Sequence, residues 1–395
     1  MAVKKVCIMG GGNGGFAAAA DLTMRGYEVS LYEDPRFAGS IAGIAETKTI
    51  KLSIKGVYQG AFTLRKVTTD LADALDDVDL VIPISPAFAQ QDVAKSLVPH
   101  LKEGMIIFLA PGSCGGGLVY GKIFHEAGVY DKVKICEIST LPYATRKMSP
   151  DSVNILLQTP ELWFSAFPAK YNDELFALVD PLFPGITPMT DVLETALNNG
   201  NIDSHATPVV LNAGKIGHIA HVRKLMAEGA EDKYNEFEFL SRDHFHYRHG
   251  ISPEVAKVVE KISRERMALC EALGYKPIHI LERLVRTGYC PKTDDLTPDE
   301  LYTAYRRSEG IFMDIGGPND LHARYLTEDA PCSLVFCANL AKVLAVDTPL
   351  MDSITYIASA LLGENYWETG RTLDTVGMGH CKTAAEMKQF VYEGY

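Results

Sequence analysis

The sequence predicts an α/β chain in two parts: a doubly wound, mostly parallel sheet domain over residues 1–187, followed by an all-α domain over residues 188–395. Three observations predict it. The chain opens with strand, glycine turn, helix and strand between residues 5 and 32. Short buried-strand runs then alternate with helical stretches. Beyond about Asp191, apolar residues fall at three- and four-residue spacing. With 395 residues, 47% hydrophobic and 22% charged, the chain can bury two such cores without a long disordered stretch.

The first strand is Val6, Cys7, Ile8, Met9, and a helix follows over about 16–25, closed by Gly26 before a strand over 28–32. Further strands are expected over 79–84, 105–109 and 133–138, separated by helical stretches such as 87–97. Residues 154–187, interrupted by Pro160, Pro168, Pro181 and Pro184, complete the first domain with extra strands and turns. In the second half, Val255, Val258, Val259, Ile262, Met267, Leu269 and Leu273 trace one apolar face of a helix. No repeat or low-complexity linker separates the halves, so two tightly packed domains with a substrate cleft at their junction are expected.

Gly10, Gly12 and Gly15 satisfy G-x-G-x-x-G directly after a strand and before a helix, with Asn13 and Gly14 inside the loop. The first glycine permits the tight turn, the second a close approach of backbone to pyrophosphate, and the third close packing of helix on strand. The helix N-terminus then offers N–H groups to phosphate. This is the dinucleotide-binding fingerprint of a Rossmann domain. Glu33, 18 residues after Gly15, is placed to accept from the adenosine ribose hydroxyls, and a carboxylate there favours NAD over NADP. Two alternatives stay open. Glu33 and Asp34 would equally decorate a solvated strand end, and Arg36 would suit the 2′-phosphate of NADP. Ser85 and Pro86, after the strand over 79–84, fall either near the nicotinamide or in a plain turn.

A formal charge of −12 repels nucleic acid and acidic membrane surfaces, so neither is an expected partner. The eight cysteines lack the short paired spacings of zinc sites or small disulfide scaffolds and read as reduced thiols. No apolar run approaches a bilayer span, and the first strand begins within a few residues of Met1. These features read as a cytoplasmic enzyme. The helical half leaves room for a homodimer.

Five segments carry a more specific signal: EISTLPYATR (137–146), NNGNIDSHATPVVLNAG (198–214), ISPEVAKVVEKISRERMALCEALG (251–274), RYLTEDAP (324–331) and RTLDTVGMG (371–379). In order and separation the chain resembles the opine dehydrogenases, the octopine/nopaline dehydrogenase family, over nearly its whole length. The resemblance implies an NAD(P)-dependent oxidoreductase acting on CH–NH donors. Such an enzyme joins the amine of an amino acid to the carbonyl of an α-keto acid and reduces the imine. It also implies a helical second domain, His205 as catalytic histidine, Asp329 as its partner, and Arg324 as a contact for a substrate carboxylate. The chain departs from the family pattern at Pro331-Cys332-Ser333, and DHFHYRHG (243–250) has no good counterpart; both bear on the substrate rather than the reaction class.

Hydride transfer to an imine or carbonyl carbon demands a managed proton, and histidine suits that task because its ordinary pKa of about 6.5 lies near working pH. His205 precedes Thr207-Pro208, which reads as an N-cap with proline at the first helical position. A carboxylate such as Asp329 would offset the helix dipole and fix the tautomer. Without the resemblance, His205 reads as a capping or packing residue and Asp329 as a turn residue before Pro331. Arg324 has a fork suited to a carboxylate, or pairs with Glu328 four residues on. Tyr143 and Arg146 are further candidates for substrate contact, with packing as their default. His244, His246 and His249 lack a carboxylate or thiol partner in register, so no metal is expected and the segment reads as a mobile, solvated loop. Two other readings share the first domain: a ketone reductase of the ketopantoate or glycerol-phosphate dehydrogenase type, and an NAD(H)-sensing regulator without turnover.

Overall fold

The computed structural model describes residues 3–229, 244–292, 295–308, 313 and 315–395. Within them the chain forms two compact units, residues 1–199 with 374–395, and residues 200–373.

The first unit is built on twelve strands: β1 (Lys5–Met9), β2 (Glu28–Tyr32), β3 (Thr49–Ile54), β4 (Val57–Thr63), β5 (Lys66–Thr68), β6 (Leu80–Pro83), β7 (Met105–Leu109), β8 (Val133–Ile138), β9 (Tyr143–Ser149), β10 (Ser152–Gln158), β11 (Leu162–Phe167) and β12 (Ile186–Pro188). Eight of them form one sheet in the order β12-β11-β8-β7-β6-β1-β2-β5. All its pairs are parallel except β11 against β8. The run β5-β2-β1-β6-β7-β8 is the doubly wound order, and its direction of winding reverses between β1 and β6.

Burial on both faces explains the continuous apolar strands. In β1, Val6 and Ile8 join one core while Cys7 and Met9 join the core on the opposite face. In β7, Ile106 and Phe108 follow the first core, and Met105, Ile107 and Leu109 the second. The period of two therefore carries a hydrophobe at every position.

A second sheet, ordered β4-β3-β10-β9, was absent from the sequence reading. Its strands pack beside the helix Asn13–Met24 that follows the glycine loop, and the buried Tyr143 hydroxyl on β9 donates to Asp21 on that helix at 2.7 Å. The C-terminal segment differs from expectation too. Residues 374–395 belong to the sheet unit, not the helical one. The helix Ala384–Glu393 sets Phe390 against Phe167, with ring centroids 5.6 Å apart, and Lys170 Nζ donates to the Glu393 carbonyl at 2.7 Å. Apolar spacing identifies a helix but not the core it serves.

The second unit is helical. Its longest helix, Pro253–Ala272, starts at the Ser252 cap with proline at its first position and buries Ala256, Val259, Ile262 and Leu269. It also buries Arg266, whose Nε donates to Asp203 at 3.2 Å; Arg283 donates to the other oxygen of the same carboxylate. Among the described residues no helix is long and apolar enough to cross a membrane, and the eight cysteines are buried and unpaired by disulfides.

Candidate dinucleotide and proton-transfer sites

The three fingerprint glycines meet three different surroundings. Gly10 has φ +120°, and a Cβ there would lie 2.5 Å from the Ile84 carbonyl oxygen. A Cβ on Gly15 would lie 1.7 Å from the Gly10 carbonyl oxygen, so only glycine lets the helix sit this close to the loop. A Cβ on Gly12 would meet nothing within 4 Å, which leaves open the position where backbone would approach a phosphate. Gly12 caps a 12-residue helix with no acidic side chain in its first turn, so its N-terminal field is not offset locally. The residues present therefore fit a dinucleotide pyrophosphate. Gly14 faces Ile84 and Leu141, and the Asn13 side-chain oxygen accepts from the Lys147 N–H at 2.8 Å, tying the loop to β9.

Glu33 is no solvated strand end. Its carboxylate accepts from Gly11 N–H (2.8 Å), Ser40 Oγ (2.8 Å) and Asp34 N–H (2.9 Å), and so braces the glycine loop from the end of β2. Exposed Arg36 forks onto Asp34 at 2.8 and 2.9 Å, and that pair holds the half-buried Asp34 carboxyl below its usual range. Ser85 and Pro86 follow β6 at the carboxyl end of the sheet, immediately after Ile84, whose backbone abuts Gly10. They thus lie at the winding reversal, where ligands of such sheets collect.

In the second unit, His205 stands between the short helices Asn201–Ser204 and Ala206–Leu211, itself in the capping position. The helix therefore starts before Thr207, which is buried inside it and is not its N-cap. His205 Nδ1 lies 2.8 Å from Asp329 Oδ2, across 124 residues of sequence. Asp329 is 3% exposed, and its other oxygen accepts from Ser333 Oγ at 3.3 Å. An ionised carboxylate only accepts, so Nδ1 carries the hydrogen and Nε2 is left to take or give a proton.

The ring of Tyr325 meets His205 edge-on at 4.4 Å and stacks on His246 at 4.4 Å. His246 is fully buried, and its Nε2 donates to the Ser204 carbonyl at 2.7 Å. Burial, reinforced by the nearby His205, pushes the His246 pKa down to about 3, while burial pulls His244 down to about 4. At His244 and His246 the expectation of a mobile, solvated loop is corrected: both rings are buried, and Tyr247 beside them stacks on Tyr305 at 5.5 Å, whereas His249 is exposed and Asp243 lies outside the described residues. Among the described residues no group of three or more His, Cys, Asp or Glu is placed to hold a metal.

Arg324 Nε donates to Glu328 at 2.6 Å, the ion pair weighed from the four-residue spacing. Tyr143 and Arg146 lie in the other unit. Tyr143 is committed to Asp21 inside the core, and Arg146, exposed on β9, donates to the Thr145 carbonyl at 2.9 Å. Two residues around these sites carry no signal in the sequence, and one carries a misleading one. Tyr325 stands beside a singled-out arginine, Lys147 looks like any solvated lysine on an edge strand, and His246 sits in a histidine cluster that reads as polar.

Residues 188–362 match the family model described as the NAD/NADP octopine/nopaline dehydrogenase alpha-helical domain. An opine dehydrogenase of Arthrobacter sp. (strain 1C) is 27% identical over 98% of this chain and 99% of its own length. Two solved structures share the fold. Octopine dehydrogenase with NADH and L-arginine gives a TM-score of 0.69 at 18% identity, covering 97% of both chains. Yersinopine dehydrogenase with NADP+ bound gives 0.67 at 18% identity, covering 98% of this chain and 99% of that one. The stretch that matches the octopine/nopaline dehydrogenase α-helical domain thus contains both His205 and Asp329, in a chain that is similar to an opine dehydrogenase along nearly its whole length.

Proposed function

We propose that the protein is an NAD(P)H-dependent opine dehydrogenase, which condenses an amino acid with an α-keto acid and reduces the imine to a secondary amine. The observation that carries this reading is the part-buried contact between His205 and Asp329 within a matched octopine/nopaline dehydrogenase helical domain. A nicotinamide dinucleotide held at the glycine loop would supply the hydride for the imine carbon. A proton goes to the nitrogen, so C=N becomes CH–NH, and His205 manages that proton through Nε2. Asp329 keeps the tautomer and stabilises the imidazolium. Glu328 holds the Nε edge of Arg324, fixing the guanidinium plane for a substrate carboxylate. Glu33 favours NADH at the adenosine end.

The reading includes a cytoplasmic location, supported by eight reduced, buried cysteines. It also includes a homodimer, supported by exposed Tyr356, Ile357 and Leu361 on the helix Pro349–Leu362, which sedimentation velocity checks.

The test is NADH oxidation across a matrix of amino acids against pyruvate, 2-oxoglutarate, glyoxylate and oxaloacetate. Turnover is expected only when both partners are present. With the best pair and saturating NADH, His205→Ala should lose about 10²–10⁴-fold in kcat. Equal rates with the keto acid alone would replace this reading by direct ketone reduction, and an undiminished His205→Ala would remove the histidine from the chemistry.

A further inference from the structure

Lys147 occupies an unusual position for a lysine on a strand. Its Nζ donates to the Ser40 carbonyl at 2.6 Å and to the Gly11 carbonyl at 3.4 Å, and lies 3.4 Å from the centroid of the Phe16 ring. Ser40 and Gly11 are also the residues whose Oγ and N–H hold the Glu33 carboxylate. One lysine and one carboxylate thus grip the same two residues, beside the end of β2 where the adenosine ribose of a dinucleotide would sit.

The charges around this point are not equivalent. Glu33 is satisfied by three hydrogen-bond donors. Arg36, the cation expected to meet a 2′-phosphate, is spent on Asp34 through both prongs of its fork. Among the described residues Lys147 has no carboxylate within ion-pair distance; its Nζ donates to neutral carbonyls. Burial lowers its pKa, against a weaker opposing pull from Glu33. A desolvated ammonium without a counter-ion gains most when an anion arrives.

We propose that Lys147 is a specificity-determining residue of the dinucleotide site, supplying the cation that lets an adenosine end built on Glu33 accept a 2′-phosphorylated dinucleotide. Glu33 bonds ribose hydroxyls in one cofactor, and Lys147 offsets its charge and meets the phosphate in the other. The inference deepens the dinucleotide-binding part of the proposed function and does not depend on the amino-acid or keto-acid partner.

Calorimetry with two probes that lack the nicotinamide, 5′-ADP and 2′,5′-ADP, tests it in the full-length protein. Lys147→Met keeps the length of the side chain and its contact with Phe16 while removing the charge. It should weaken 2′,5′-ADP by about 10-fold or more and change 5′-ADP by less than about 3-fold. Lys147→Arg should retain at least part of the 2′,5′-ADP affinity. Equal losses for both probes would make Lys147 a mere clip between Gly11 and Ser40 and overturn the proposal, as would an unchanged Lys147→Met. Wild type that binds 5′-ADP but not 2′,5′-ADP overturns the proposal alone. Wild type that binds neither overturns the dinucleotide reading as well.

Discussion

At His246, burial and hydrogen bonding act on one ring. The Ser204 carbonyl takes the Nε2 hydrogen, Tyr325 covers a face, and desolvation holds the folded-state pKa near 3 against an ordinary value near 6.5. Between those values the unfolded chain binds a proton that the folded chain does not. The associated stability is therefore complete above about pH 6.5 and is lost as pH falls toward 3. The slope is at most about 1.4 kcal/mol per pH unit for one such group, and His244, pulled down to about 4, adds to it with the same sign. His246→Phe keeps a ring against Tyr325 but cannot titrate. Its unfolding free energy from urea titration should start lower, by about 1 kcal/mol for the lost hydrogen bond, yet fall less between pH 7 and pH 5 than that of wild type. Parallel declines would mean that His246 is not held neutral.

The glycine loop is an element whose members make opposite demands, and this separates folding from binding. Gly15→Ala drives a methyl into the Gly10 carbonyl, so the helix must move. A loss of roughly 1–3 kcal/mol or more in stability is expected, from overpacking against backbone. Gly12→Ala meets open space and should melt near wild type, while weakening 5′-ADP by about 10-fold or more through loss of close phosphate approach. Differential scanning fluorimetry with and without 5′-ADP distinguishes them, and a Gly12→Ala protein with intact affinity would move the pyrophosphate elsewhere. These elements were legible because their signals are local. β2, β7 and β8 occupy the bounds expected from apolar runs and turns, and the helix starts at Asn13, three residues before the expected Phe16. The β4-β3-β10-β9 sheet was not legible. β3 and β10 pair across about a hundred residues, and β4 is mostly exposed, with Gly60 in its middle, so no apolar alternation marks it. The same distance hid the second site: His205 and Asp329 are 124 residues apart, and only the family resemblance paired them in advance.

At the scale of the whole molecule, the chain leaves the sheet unit at Gly200 and returns to it at Asp374. A division at residue 187 falls short of that exit and assigns the return to the helical half, because Met387, Phe390 and Val391 have the same spacing whichever core receives them. The return has a measurable consequence. Phe390 contacts Phe167 at the end of β11, and meets Tyr395 (5.2 Å) and His380 (5.2 Å) edge-on. Phe390→Ala should cost about 3 kcal/mol, within the range for a buried phenylalanine. The loss should be felt in the sheet unit, although the residue lies beyond the helical unit in sequence. Hydrogen exchange read by mass spectrometry should rise in β8, β11 and the helix Ala384–Glu393, and stay unchanged in the helix Pro253–Ala272. A rise confined to Pro253–Ala272 would mean that the C-terminal helix stabilises the helical unit instead.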